Sequence, residues 1–193
     1  MFETLEHIDR TILLAINGAH HPVLDSFFWA ASAEWIFVPL WLLVIWYIYV
    51  KKGMKYLATS MVCIGLIILF CDQSTNIVKH SVKRYRPTHN LEIKDKIHVV
   101  NDYRGGPYGF FSGHSSNNTG VAVFLFLVLS QLKNRYRYWI FIFPPIIEYS
   151  RMYLGVHYPS DILVGTLDGI LFGIIFYKFF EYLTVKWKVE KAV

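Results

Sequence analysis

Five long apolar runs, at 27–50, 56–78, 115–132, 136–155 and 160–182, limit what this chain can fold into. Wound as helices at about 1.5 Å per residue, each is long enough to cross a hydrocarbon core of about 30 Å. The runs therefore predict an all-α integral membrane helical bundle of about five spanning helices, forming one domain over 1–193. The fourth run is expected to be kinked, because Pro144 and Pro145 interrupt its hydrogen-bond ladder and Glu148 and Arg151 crowd its end. Composition agrees, with 54% hydrophobic and 18% aromatic residues, well above an ordinary soluble domain.

The segment before the first run carries a short apolar stretch among Glu3, Glu6, Asp9 and Arg10. It is too short to span and reads as an interfacial amphipathic helix over 1–20. It lacks the basic start and small-residue exit of a cleavable signal peptide, so the first span is expected to serve as the insertion signal. Cys63 and Cys71 lie eight residues apart on one predicted helix. That places them about 12 Å apart along its axis, beyond disulfide reach, as inert core thiols.

Orientation follows from the short connections. Lys51, Lys52 and Lys55 follow the first run, Lys133, Arg135 and Arg137 the third, and Lys186, Lys188 and Lys191 the fifth. By the positive-inside rule all three clusters face the cytoplasm. The loop from about 79 to 114 and the short turn at 155–159 then face outward. A net charge of +5 scattered over both sides of a membrane is not a nucleic-acid patch. The outer loop is itself basic, with Lys83, Arg84, Arg86, Lys94, Lys96 and Arg104, which an anionic substrate explains.

Three clusters belong to these outward connections: KHSVKRYRP at 79–87, FSGHS at 111–115 and SRMYLGVHYPSD at 150–161. Helix packing alone is expected to bring them to one membrane face. Hydrolysis of a phosphate monoester needs cations around the equatorial oxygens, an in-line nucleophile and an acid for the leaving oxygen. Lys79, Arg86 and Arg151 can supply the cations, the arginines through fork-like contacts. The glycine-rich loop GGPYGFFSGHSS runs into an apolar helix, so the amides of Ser112 and Gly113 are expected to donate to the anion. Pro159 and Asp161 mark a second helix start that is expected to face the same site.

These spacings, KxxxxxxRP, then SGH, then SRxxxxxHxxxD, closely resemble the signature of the type 2 phosphatidic acid phosphatase family, which shares its site with the vanadium haloperoxidases. The resemblance runs from Lys79 to Asp161, and the surrounding apolar runs fit the family's membrane-bound branch. It departs at Phe111, where the family usually has proline. The resemblance implies that His157 is the nucleophile and that Asp161 holds its other ring nitrogen. It further implies that His114 is the acid for the leaving oxygen and then the base for water. No cofactor is expected, and no metal, since the carboxylates are too dispersed for a two-metal clamp and no HExxH spacing occurs.

The expected activity is hydrolysis of a lipid phosphate or diphosphate at the outer face of the cytoplasmic membrane, through a phosphohistidine. The favoured substrate is undecaprenyl diphosphate, with phosphatidate, phosphatidylglycerol phosphate and lipid A phosphate as alternatives. The partner is that lipid itself, with no nucleic acid. A non-catalytic lipid-phosphate binder or transporter would have no need of two histidines and an aspartate, and a haloperoxidase would need bound vanadate. Asp72 and Asp168 are read as hydrogen-bonding within the bundle, and Gly165, Gly169 and Gly173 as a close-packing helix face. Tyr103, Tyr108, Phe110 and Phe111 fit a lipid cradle or an aromatic belt equally well.

Overall fold

The computed structural model describes residues 2–33 and 35–187, so Lys188 and Lys191 lie outside the described residues. Seven α-helices follow one another: α1 (Phe2–Gly18), α2 (Pro22–Ser32), α3 (Val38–Lys52), α4 (Met54–Val82), α5 (Gly113–Gln131), α6 (Phe143–Tyr153) and α7 (Pro159–Lys186). Between them the described residues form 3-10 turns and loops, with one isolated β-bridge pairing Tyr85 and Tyr108. Two described helices, α4 and α7, are long and apolar enough to cross a membrane.

The first apolar run is not one helix. It divides into α2 and α3 around a short 3-10 turn, Trp35–Phe37. Pro39 stands in the first turn of α3. A proline lacks the amide hydrogen and its ring clashes with the carbonyl four residues back, so no α-helix continues through this point. The fourth run is interrupted as its prolines predict: a 3-10 stretch, Arg135–Ile142, precedes α6, and Pro144 opens that helix.

The α5–α7 seam organises the bundle. A Cβ on Gly165 would stand 2.5 Å from the Ser112 carbonyl oxygen, one on Gly169 2.3 Å from that of Ser116, and one on Gly173 2.7 Å from that of Gly120. Backbone therefore meets backbone along three turns, as the every-fourth-residue spacing predicts. Asp168 sits on the same helix and accepts hydrogen bonds from Ser74 (3.0 Å) and Ser116 (2.5 Å), tying α7 to α4 and α5. Asp72 accepts from Asn117 at 2.9 Å. Both acids thus hold helices together.

At the far end of the bundle, Gln131 at the end of α5 meets Tyr56 at the start of α4 (2.9 Å) and Glu181 near the end of α7 (3.2 Å). Lys52, Lys55 and Lys186 are at this end by their places on the helices. The opposite end collects the three motifs. Cys63 and Cys71 are buried free thiols in α4.

Helix α1 covers the motif end. Leu13 is fully buried in a small cluster with Ile93, Ile97 and Tyr158, while Leu5, Ile8 and Ile12 form an exposed apolar stripe. An exposed apolar stripe beside a docked face is what an interfacial helix presents to lipid.

Candidate active site

His157 lies in the turn between α6 and α7 and is 1% exposed. A guanidinium nitrogen of Arg86 is 2.9 Å from its Nε2. Its Nδ1 faces Asp161 Oδ2 at 3.4 Å, four residues on and one turn into α7. The i, i+4 spacing puts ring and carboxylate on one side of that first turn. With Nε2 accepting from Arg86, the proton of the neutral ring belongs on Nδ1, toward the aspartate. Burial first, and then the charges of Arg86, Arg151 and Lys79, with His114 a further contributor, drive the imidazole well below the histidine value of 6.5. The ring is therefore neutral at neutral pH, with its lone pair on the atom that faces the cations.

The loop of 83–112 wraps Arg86. Its Nε donates to the Tyr108 carbonyl (3.2 Å) and its Nη1 to that of Val156 (3.1 Å). Gly105 adopts a left-handed φ of 67° and packs so closely on the guanidinium that a Cβ there would lie 3.3 Å from it. Burial, followed by repulsion from Arg151, lowers Arg86 to about 10. Arg151, at the end of α6, donates to the hydroxyls of Tyr103 (3.0 Å) and Ser32. Lys79 stands in the last turn of α4, within Coulombic range of Arg86, Arg151 and Asp161. Three cations thus converge on a region where the Asp161 carboxylate is already paired with Arg84. An anion is what such a cluster is built to receive.

His114 occupies the first turn of α5 and lines a cleft of about 190 Å³ together with Arg151, Tyr103, Ser32, Ala33 and Trp29. Ser112 caps this helix, its hydroxyl accepting from the Ser115 amide at 3.3 Å. Its own amide departs from expectation: it donates to the Asp161 carbonyl at 3.0 Å, joining the starts of α5 and α7. Of the two amides expected to donate, that leaves the one of Gly113, joined by the Ser112 hydroxyl proton, to face an anion. The start of α7 departs likewise, since the Ser160 amide donates to Asp9 Oδ1 (2.9 Å). Phe111, at the position where proline was expected, is buried and follows a cis peptide bond.

All eight site residues expected from the motifs therefore gather at one end of the bundle. Motif spacing did not reveal Arg84 or Asp9, which back Asp161, nor Tyr103 and Ser32, which hold Arg151. Tyr103 is thus a partner of a buried cation as well as an aromatic wall. Among the described residues no group of histidine, cysteine or acidic side chains could hold a metal ion.

Known proteins resemble the chain in sequence and in fold. The sequence profile of the PAP2 superfamily matches residues 57–184. The chain is 34% identical over 187 residues to the lipid A 4'-phosphatase of Porphyromonas gingivalis, covering 96% of this chain and 78% of that protein. It is 33% identical over 199 residues to the lipid A 4'-phosphatase of Bacteroides thetaiotaomicron, covering 100% and 86%. In fold it is similar to the crystal structure of a transmembrane PAP2 type phosphatidylglycerolphosphate phosphatase from Bacillus subtilis, with a TM-score of 0.68 at 20% identity over 93% of this chain and 87% of that one. The chain belongs to the PAP2 superfamily, and within it is a membrane lipid phosphatase, a hydrolase of phosphoric monoesters.

Proposed function

We propose that the chain removes the 4'-phosphate of lipid A, without a metal, through a phosphohistidine on His157. The observation that carries the chemistry is the neutral buried imidazole with Arg86 at Nε2 and Asp161 at Nδ1. In the first step the Nε2 lone pair attacks phosphorus in line, and the bond from phosphorus to the sugar oxygen breaks. His114 gives its proton to that oxygen, and Asp161 stabilises the charge left on the ring. Arg86 transfers its hydrogen bond from Nε2 to a phosphate oxygen, joined by Arg151 and Lys79. In the second step water attacks phosphorus, His114 takes its proton, and the bond to Nε2 breaks to release inorganic phosphate.

The substrate reading rests on the two relatives named lipid A 4'-phosphatase, each about one third identical over nearly the whole chain. They favour lipid A over the undecaprenyl diphosphate expected from the sequence. A lipid is also supported by a cavity of about 370 Å³ between α3, α4 and α5, lined by Trp41, Ile45, Leu57, Met61 and Asn117 among others. Asn118, beside it, donates to the His114 carbonyl at 2.8 Å, so this apolar space begins about one turn from the acid.

We also place the 1–193 domain in the cytoplasmic membrane with its site facing the periplasm. The five crossings are α3, α4, α5, the 3-10 stretch with α6, and α7, while α1 lies in the interface. The basic residues at the far end of the bundle support this orientation.

The test is phosphate release by the purified protein from lipid A, phosphatidate, phosphatidylglycerol phosphate and undecaprenyl diphosphate, with a chelator present. Lipid A is expected to be the best substrate, losing its 4'-phosphate by mass spectrometry. A preference for the diphosphate would restore the polyprenyl reading, and activity lost to the chelator would end the metal-free one.

A further inference from the structure

We infer that Asp9 of α1 and Arg84 of the outer loop are positioning residues for this reaction, holding the Asp161 carboxylate in the orientation from which it meets the His157 ring. The inference rests on the assignment of His157 and Asp161 made above. Asp161 is fully buried and its two oxygens have separate partners. Oδ2 accepts from the Tyr158 amide at 3.0 Å and faces His157 Nδ1 at 3.4 Å. Oδ1 accepts from Arg84 Nη1 at 2.8 Å. Rotating the carboxylate out of its plane would break the Arg84 contact, so Arg84 fixes the plane in which the histidine meets it.

Arg84 is itself held from three sides. Its Nη2 donates to Asp9 Oδ2 at 2.7 Å, its Nη1 also to Ser160 Oγ at 2.7 Å, and its guanidinium lies 4.1 Å from the centre of the Tyr158 ring. Burial opposes its charge, but Asp161 and Asp9 outweigh burial and hold it above the ordinary arginine value. Asp9 is 2% exposed and also receives the amide and hydroxyl of Ser160, which pins α1 to the first turn of α7. A buried acid, cation and acid in series, ending on the histidine's partner, is more than an exposed ion pair, whose effect is usually small. Helix α1 thereby becomes part of the catalytic unit as well as an interfacial anchor.

The test compares Arg84→Gln, Arg84→Lys, Asp9→Asn and the Arg84→Gln/Asp9→Asn double variant of the full chain, assayed on lipid A with orthovanadate as inhibitor. His157→Ala serves as the control for the underlying assignment. Arg84→Gln is expected to lower kcat about ten-fold, with KM and vanadate inhibition changed by less than about two-fold. The acid limb of kcat/KM is expected to move to higher pH, because a cation is removed from beside the His157–Asp161 pair. The other charged groups facing that ring, Arg86 from the loop, Arg151 from α6, Lys79 from α4 and His114 from α5, are unchanged in these variants. Arg84→Lys should recover part of kcat, and the double variant should be no slower than Arg84→Gln, since Asp9 acts through Arg84. Losses that multiply in the double variant, or an unmoved pH limb, would overturn the inference. Should Arg84→Gln fail to fold, Asp9→Asn decides alone: a smaller kcat loss with the acid limb displaced to lower pH, because here an anion is removed, supports positioning, and a wild-type profile refutes it. Turnover by His157→Ala would instead overturn the assignment of the nucleophile.

Discussion

The guanidinium of Arg86 lies 2.9 Å from Nε2 of His157, so a buried cation faces the lone pair proposed to attack phosphorus. A phosphoryl group approaching in line draws this guanidinium onto its own oxygens and frees the nucleophile in the same motion. His157→Ala should therefore abolish turnover, by about a thousand-fold or more, while orthovanadate still binds. Rapid quenching of the wild-type protein with phosphate-labelled lipid should trap an acid-labile adduct on residue 157. An adduct elsewhere would refute the assignment.

The depressed proton affinity of His157 has a definite sign in both activity and stability. The proposed nucleophile works when neutral, so the acid limb that it sets in kcat/KM should lie well below 6.5. In the unfolded chain the ring takes its proton near 6.5, so below that pH the unfolded state binds more protons than the native one. The native state's advantage is complete above 6.5 and shrinks as pH falls toward the depressed native value. Thermal unfolding in detergent of the wild type against His157→Gln as a function of pH measures the second effect, and a difference in melting point that stays constant from about pH 4 to 6.5 would contradict it.

Gly169→Ala should be costly for so small a change. Its new Cβ would meet the Ser116 carbonyl at 2.3 Å and the Gly120 amide at 2.8 Å, both backbone, so α7 must back away from α5. A loss of about 1–3 kcal/mol is expected. Because α5 carries His114 and α7 carries Asp161, activity should fall as well. Thermal unfolding and specific activity of the purified variant check both effects.

Asp168→Ala separates bundle support from chemistry. It takes the carboxylate acceptor from the Ser116 hydroxyl and leaves Ser74 with the Cys71 carbonyl, so the tie of α7 to α4 and α5 is lost, which should cost about 1–3 kcal/mol. Below the melting point of the variant, kcat should match the wild type. A large fall in kcat for a still-folded variant would give this acid a part in the reaction.

The gathering of the candidate site residues was legible because three short motifs carry them at fixed spacings, and because long apolar helices have few ways to bring their ends together. Lys79, Arg86, His114, Arg151, His157 and Asp161 needed no knowledge of the packing. The Asp9–Arg84–Asp161 chain was not legible, since it joins residues 75 and 77 positions apart through side chains that share no periodicity. The Ser112 amide was misjudged for a related reason: a helix start predicts free donors, yet tertiary packing brought the Asp161 carbonyl against one of them. The split first helix was readable in principle from Pro39, whose local veto outweighs an apolar run. Which lipid is cleaved lay beyond the motifs, because they describe the phosphate and not what is attached to it.

The glycine seam of α7 has a further result for how substrates are told apart. With backbone pressed on backbone from Gly165 to Gly173, His114 on α5 and Asp161 on α7 ride on one stiff strut. The gap between them cannot widen for a bulkier head group. Accommodation falls instead to the opposite wall of the cleft, where Trp29, Ser32 and Tyr103 stand on a short helix and a loop, and it is there that a change of sugar or glycerol would have to be written.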